Sequence, residues 1–283
     1  MTDLPITEPG VYEMDAERYH LDPVEGGSLS SSGARALLPP GCPAKYHWDR
    51  HNPHPPKPHF DIGHAAHTLV LGKGQRFTDT GLDNRRGKAW TEADTTCRAQ
   101  GTIPLLTQDY ETIHGMAEAL HAHPDVGPLF ATEGRLVEAV LVWRHNLGWD
   151  HIWRRAMVDL IPHRHVVVDY KTAAAVDLDA LERAVHNYGY HQQADWYLSG
   201  ATELDLVDPD AEFWFVAQAK EPPYLVTPFR LDDGALSAGR ALNHEAMTVY
   251  AECVRAGAWP GHASGVETLS LPRWAARPEV ADW

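Results

Sequence analysis

Cysteine is scarce: the chain holds three, Cys42, Cys97 and Cys253, far apart and without a Cys-x-x-Cys pair. That excludes a disulfide framework and a four-thiolate zinc or iron–sulfur site, and it fits a reducing cytoplasm. No apolar run approaches the roughly 20 residues a membrane span needs. The opening stretch, MTDLPITEPGVYEMDAERYHLD, is acidic and lacks an apolar core, so no secretory signal is expected. Positive charge is also short. Lysine and arginine total 24 against 39 acidic residues, a net charge of −15, which argues against broad non-specific nucleic-acid binding while leaving room for a local basic track. No internal repeat is visible. Against these absences stand 283 residues, 43% of them hydrophobic, with 10 tryptophans. That is enough for a sizeable core, expected as one domain over 1–283 with an N-terminal segment (1–60), a core (60–257) and a C-terminal tail (258–283).

Texture divides the chain. Residues 1–60 are rich in Pro, Gly, Ser and His, and SLSSSGARALL offers serine caps before a short helix. Residues 53–59, PHPPKPH, read as a stiff linker. Residues 60–72 read as a short buried helix ended by Gly72, 73–105 as polar and partly helical, and 107–126 as a helix stopped by Pro124. The period then changes. Strands are expected over 135–144, 148–163 and 166–171, the first two joined at Asn146-Leu147-Gly148. A helix over 177–200 breaks near Gly189, a second hairpin spans 212–231 around Pro222-Pro223, and a helix over 234–257 closes the core. This order implies an α/β fold: a central mixed sheet flanked by helices.

The stretch VVVDYKT (166–172) sets a valine-rich strand against an aspartate and one of only 6 lysines in the chain. Strand side chains alternate faces, so Asp169 and Lys171 share one face. Alone, the pair reads first as a buried ion pair, a common arrangement on strands. The neighbouring strands, however, carry Asp159 and Glu138. Three clustered carboxylates repel and are desolvated unless a hard divalent cation, Mg²⁺ or Mn²⁺, compensates them. A lysine beside such a cation suits hydrolysis of a phosphodiester.

The ordered set Glu138 … Met157-Val158-Asp159 … Asp169-Tyr170-Lys171 resembles the core motif of the PD-(D/E)xK nuclease superfamily, with Val158 where the family name has proline. Gly63-His64-Ala65-Ala66-His67 resembles the Gly-x-x-x-His helix of its RecB-like and RecE-like branches, and Gln193 to Tyr197 their Gln-x-x-x-Tyr helix. Residues 28–48 resemble the N-terminal stretch of RecE-type exonucleases (exonuclease VIII). The resemblance implies a restriction-endonuclease-like core and a phage-type 5′→3′ exonuclease on double-stranded DNA ends. It further implies a single-strand annealing partner of the RecT kind and a closed homo-oligomeric ring. It assigns Asp159, Asp169 and Glu138 to Mg²⁺ with His67, and Lys171 to catalysis, supported by Gln193 and Tyr197.

For DNA contacts, Arg35, Ser30 and Ser32 near a helix start fit a terminal phosphate, and Lys45, Arg154 and Arg155 fit the backbone. Each of these also fits a cap or a surface charge. An iron–sulfur nuclease of this core is excluded by the missing cysteine quartet. A restriction-type endonuclease and a non-enzymatic scaffold remain as alternatives, and a digestion with and without Mg²⁺ separates them.

Overall fold

The computed structural model describes residues 4–52, 62–73 and 76–272. The linker at 53–59 lies outside them. The N-terminal part contains Gly10–Tyr12 (β1), Ala16–His20 (α1), Leu29–Ser30 (β2), Ser31–Leu37 (α2), Pro43–His51 (α3) and Ile62–Leu71 (α4). Arg76–Asp79 (β3), Gly87–Ala99 (α5) and Thr102–Leu105 (β4) follow, then Thr107–His121 (α6) and Gly127–Ala131 (α7). The valine-rich half supplies Leu136–Asn146 (β5), His151–His163 (β6) and Val166–Ala173 (β7). Leu178–Tyr188 (α8), Tyr190–Glu203 (α9), Glu212–Ala219 (β8), Val226–Phe229 (β9) and Asp233–Ala256 (α10) complete the described order.

The main sheet runs β1-β5-β6-β7-β8-β9, with β2 added alongside β6. It is mixed: β7–β8 and β2–β6 are parallel, the other neighbours antiparallel. Helices cover both faces. On one, Leu141, Trp143, Val158, Val167 and Phe215 pack with residues of α2, α9 and α10. On the other, Leu160, Val168, Tyr170 and Val216 pack with α4, α6 and α7. This is the expected α/β architecture, held by two apolar layers on one sheet.

Local chemistry fixes the element ends. Ser30, Asp177 and Asp232 cap α2, α8 and α10, each side chain accepting a backbone N–H three residues on at 3.2, 3.0 and 2.7 Å. Gly189, left-handed at φ 68, ends α8 and starts α9, as its position in the helical pattern implies.

Several expectations need correction. Residues 73–105, expected as polar and partly helical, do contain a helix, α5, but β3 and β4, not expected from the sequence, pair in parallel beside it as a separate two-stranded sheet. The helix expected over 107–126 ends at His121, and α7 is a separate turn after Pro124. The N-terminal stretch contributes two strands to the main sheet, neither visible as an alternating pattern.

Two irregularities shape the sheet where the acidic residues sit. The pair Val137–Leu160 faces the α4/α6 layer, whereas Ala139–Val158, two residues along, faces the α9/α10 layer. Regular strands keep such pairs on one face. Glu138, between them, sits at φ 45, a left-handed conformation that few non-glycine residues adopt, and there the sheet turns over. In addition, β6 and β7 pair only near their turn, Leu160 with Val168 and His163 with Val166. Beyond Val168, β7 keeps β8 on one side, while β6 takes β2 as its partner at Arg154 and Arg155. The two strands diverge and leave a fork.

Candidate active site

Asp159, just before Leu160, and Asp169, just after Val168, adjoin the last β6–β7 pair, so both stand at the crotch of the fork. Asp159 Oδ2 accepts the backbone N–H of Tyr170 at 2.8 Å, where a ladder carbonyl would otherwise sit. Asp169 is 1% exposed. Its Oδ1 accepts from Gln193 Nε2 at 2.6 Å, and its Oδ2 lies 2.7 Å from the Lys171 ammonium. That ammonium approaches outside hydrogen-bond geometry, so Oδ2 has no hydrogen-bond donor of its own. His67, delivered by α4, brings Nε2 to 3.2 Å from Asp159 Oδ2 and Nδ1 to 3.6 Å from Glu138 Oε1. The α9 helix supplies Gln193 and, one turn on, Tyr197, whose hydroxyl Gln193 also reaches. The two helix layers thus close on the fork from opposite sides, bringing Glu138, His67, Asp159, Asp169, Lys171, Gln193 and Tyr197 together. Sequence parity alone suggested one flat face.

The two aspartates are pushed apart electrostatically. Burial raises Asp169, to about 6, against the pull of Lys171. Burial would raise Asp159 too, but His67, Lys171 and the Tyr170 N–H outweigh it and hold Asp159 below the usual carboxylate range. Burial would lower His67 and Lys171, yet the surrounding carboxylates hold both above their ordinary values. The site therefore contains two cations stabilised by acids and one acid whose charge is costly. Opposed shifts on neighbouring carboxylates are a recurrent feature of catalytic centres.

The fork opens into a cleft of about 720 Å³, lined by Asp159 and Lys171 with Ser31, Ser32, Arg35, Tyr188, Tyr190, Gln193 and Tyr197. It forms because β2 runs straight into α2 beside β6, setting the serines at the mouth. Arg35 donates to the Tyr188 carbonyl. The expectation for Ser30 does not hold: its hydroxyl caps α2 and meets Ser32 at 3.2 Å, and Ser31 lines the cleft instead. Arg154 and Arg155 do not present free guanidiniums. Arg154, 2% exposed, lies between the rings of Trp143 and Trp196, at 4.7 and 3.9 Å, and donates to Ser199. Arg155, 8% exposed, binds Ser28 at 2.8 Å and Asp22 at 3.1 Å. Both lie on a stretch of β6 paired with β5 on one side and β2 on the other, and their guanidiniums are taken up inside the protein rather than presented at the surface. Lys45 is exposed and paired with Asp49 at 2.7 Å, and it is not among the cleft residues. Sequence reasoning missed Tyr188, whose one signal is its position before the Gly189 break.

The donor chemistry suits a hard divalent cation: carboxylate oxygens, one imidazole, and a buried Oδ2 on Asp169 without a hydrogen bond. Among the described residues no three His, Cys, Asp or Glu side chains are already gathered as a metal cage. Here the protein's own cations, Lys171 and His67, take up the carboxylates.

A family model described as "PDDEXK-like domain of unknown function (DUF3799)" matches residues 30–272. A solved structure from Eubacterium rectale, described only provisionally as an exonuclease, superimposes at a TM-score of 0.59. It is 11% identical, and the match covers 92% of this chain and 96% of that one. At that identity the likeness concerns the fold. The solved structure of SSO0001, 15% identical over 66% of this chain and 85% of that one, reaches a TM-score of 0.29, too low to bear on it. No curated protein sequence matches the chain.

Proposed function

The chain belongs to this PDDEXK-like family, a branch of the PD-(D/E)xK superfamily of nuclease-type domains, and from that premise we propose that it is a Mg²⁺-dependent exodeoxyribonuclease of the RecE kind. In this reading it digests double-stranded DNA 5′→3′ from free ends in a bacterial cytoplasm. The 3′ tails it leaves serve a phage-type annealing protein of the RecT kind. Mn²⁺ substitutes for Mg²⁺. The observation that carries the reading is the fork: Asp169, Asp159 and Lys171 meet where β6 and β7 part.

Asp159, Asp169, Glu138 and His67 would hold the cation, which when bound supplies a Lewis acid and a water of lowered pKa. The remaining work belongs to the chain. Gln193 fixes the rotamer of Asp169 through Oδ1 and is itself steadied by Tyr197. Lys171, held protonated by two carboxylates, directs its ammonium at the cleft and stabilises charge developing on phosphate oxygens. In the metal-free protein His67 keeps Asp159 ionised, and it would give up its proton on taking the cation. Arg35 and Ser32, at the mouth, suit a terminal phosphate. No helix of the described residues is long and apolar enough to cross a membrane.

The test is a digestion of end-labelled linear duplex and of closed circles, with Mg²⁺ and with chelator. Loss of 5′-terminal label from linear DNA, sparing of circles and silence in chelator are expected. Cleavage of closed circles would convert the reading to an endonuclease, and an inert protein in Mg²⁺ or Mn²⁺ would remove the nuclease reading.

A further inference from the structure

Four aromatic rings stack in series from the edge strand β9, through the core, to the cleft. Phe229 lies on Phe215 with centroids 5.1 Å apart and planes at 17°, Phe215 on Tyr190 at 5.0 Å and 21°, and Tyr190 on Tyr188 at 5.8 Å and 29°. Within the column Phe215 is fully enclosed and Phe229, at the far end, is half-buried, whereas the tip is open: Tyr188 is 60% exposed and lines the cleft. An aromatic ring with one face stacked and the other in water exposes apolar surface that a further flat ring would cover. The column also adjoins the proposed catalytic groups: the Lys171 ammonium stands 5.6 Å from the Tyr190 ring centroid. The tip is held in position. Gly189 turns the chain at φ 68, the Arg35 side chain packs 2.8 Å from where a Cβ on Gly189 would stand, and Arg35 donates to the Tyr188 carbonyl.

A ligand suited to this corner must offer a flat ring to Tyr188 and a negative charge to Lys171 and Arg35 at once. A nucleotide does both. We propose that Tyr188 is a stacking platform for an unpaired nucleobase at the strand end, continuing the Phe229–Phe215–Tyr190 column and setting the adjoining phosphate beside Lys171. The enzyme then takes a frayed, single-stranded end into the cleft rather than an intact base pair, and Tyr188 acts as a positioning residue. This rests on the nuclease reading and names the form of the substrate at that site.

Base–aromatic stacking typically weakens by ~1–3 kcal/mol on alanine substitution, roughly a five- to hundred-fold change in affinity. The experiment measures binding of the full chain, in chelator so that nothing is cut, to duplexes with a short frayed end whose terminal nucleotide is either 2-aminopurine or abasic. Fluorescence anisotropy gives affinity, and quenching of 2-aminopurine reports stacking. The wild type should bind the base-bearing end roughly five- to hundred-fold tighter and quench it. Tyr188→Phe should keep both effects. Tyr188→Ala and Tyr188→Leu should bind the two ends alike. A wild type indifferent to the base overturns the proposal without any variant, as does a folded Tyr188→Ala that keeps the full preference. Digestion by the wild type in Mg²⁺ is scored separately. Base preference without cleavage removes the nuclease reading and leaves the stack; cleavage without base preference does the reverse.

Discussion

Asp169 is an acid that its surroundings would sooner keep protonated. Its folded pKa, about 6, lies above the ordinary 3.8, so the folded state binds the proton more tightly than the unfolded chain. Stability from this group therefore falls as pH rises from about 4 to about 6. His67, also raised, adds in the same direction: its contribution is complete below 6.5 and is lost as pH rises through its folded value. Asp159, lowered, opposes only at the acid end, where its contribution disappears as pH falls below 3.8. Metal-free protein should thus be more stable at pH 5 than at pH 8, and Asp169→Asn should shrink that difference by roughly 1–3 kcal/mol. Urea denaturation at the two pH values in chelator measures it, and an unchanged slope would show that Asp169 is not so strained. Lys171→Ala is the complementary change. It should lower turnover by about 10²-fold or more while DNA binding moves little, because the ammonium acts on charge that develops during reaction. Single-turnover kinetics beside a filter-binding assay separates the two.

Elements decide how precisely these side chains are held, and α9 is the important one. It carries Gln193 and Tyr197 on one side and lies under α10 on another. A Cβ on Gly239 of α10 would stand 2.1 Å from the His191 carbonyl oxygen, so only glycine allows this approach. Gly239→Ala should cost about 1–3 kcal/mol and lower Tm by several degrees. Gly234→Ala, whose Cβ meets nothing nearer than Asp232 Oδ1 at 3.4 Å, serves as the control and should leave Tm nearly unchanged. Calorimetry on the pair checks it. The same scale shows what was legible beforehand. Runs such as Val166-Val167-Val168 and the glycine breaks at 189 and 257 announce their elements, because a buried strand and a left-handed turn leave local marks. The two-residue β2 leaves none, since Leu29 and Ser30 become a strand only by meeting Arg154 and Arg155. Arg154 misled for a related reason. Its charge reads as a surface contact, and only the tertiary meeting of Trp143 with Trp196 turns it into an interior group. The acidic pattern of the site was readable from spacing; the divergence of β6 from β7, which makes it a cleft, was not.

At the scale of the whole molecule, charge poses the main question. A net charge of −15 opposes the approach of DNA, which carries a phosphate charge every ~1.7 Å of duplex axis. Cyclic assembly around the duplex would gather the few basic residues at a channel and turn the acidic surface outward. A homo-oligomer larger than a dimer is therefore expected at assay concentration, measurable by light scattering coupled to size exclusion. A monomer that digests long duplex without dissociating would refute it.

The diverging strands carry one more consequence. The Tyr170 amide is tied to a side chain, the Asp159 carboxylate, rather than to a neighbouring strand's carbonyl. Its exchange with deuterium then reports the state of that carboxylate. Protonating Asp159, drawing it onto a cation or replacing it by alanine should each alter the lifetime of one backbone hydrogen, while the amides of the β7–β8 ladder keep theirs. The centre thus contains its own isotopic clock, readable in a protein that has never been given DNA.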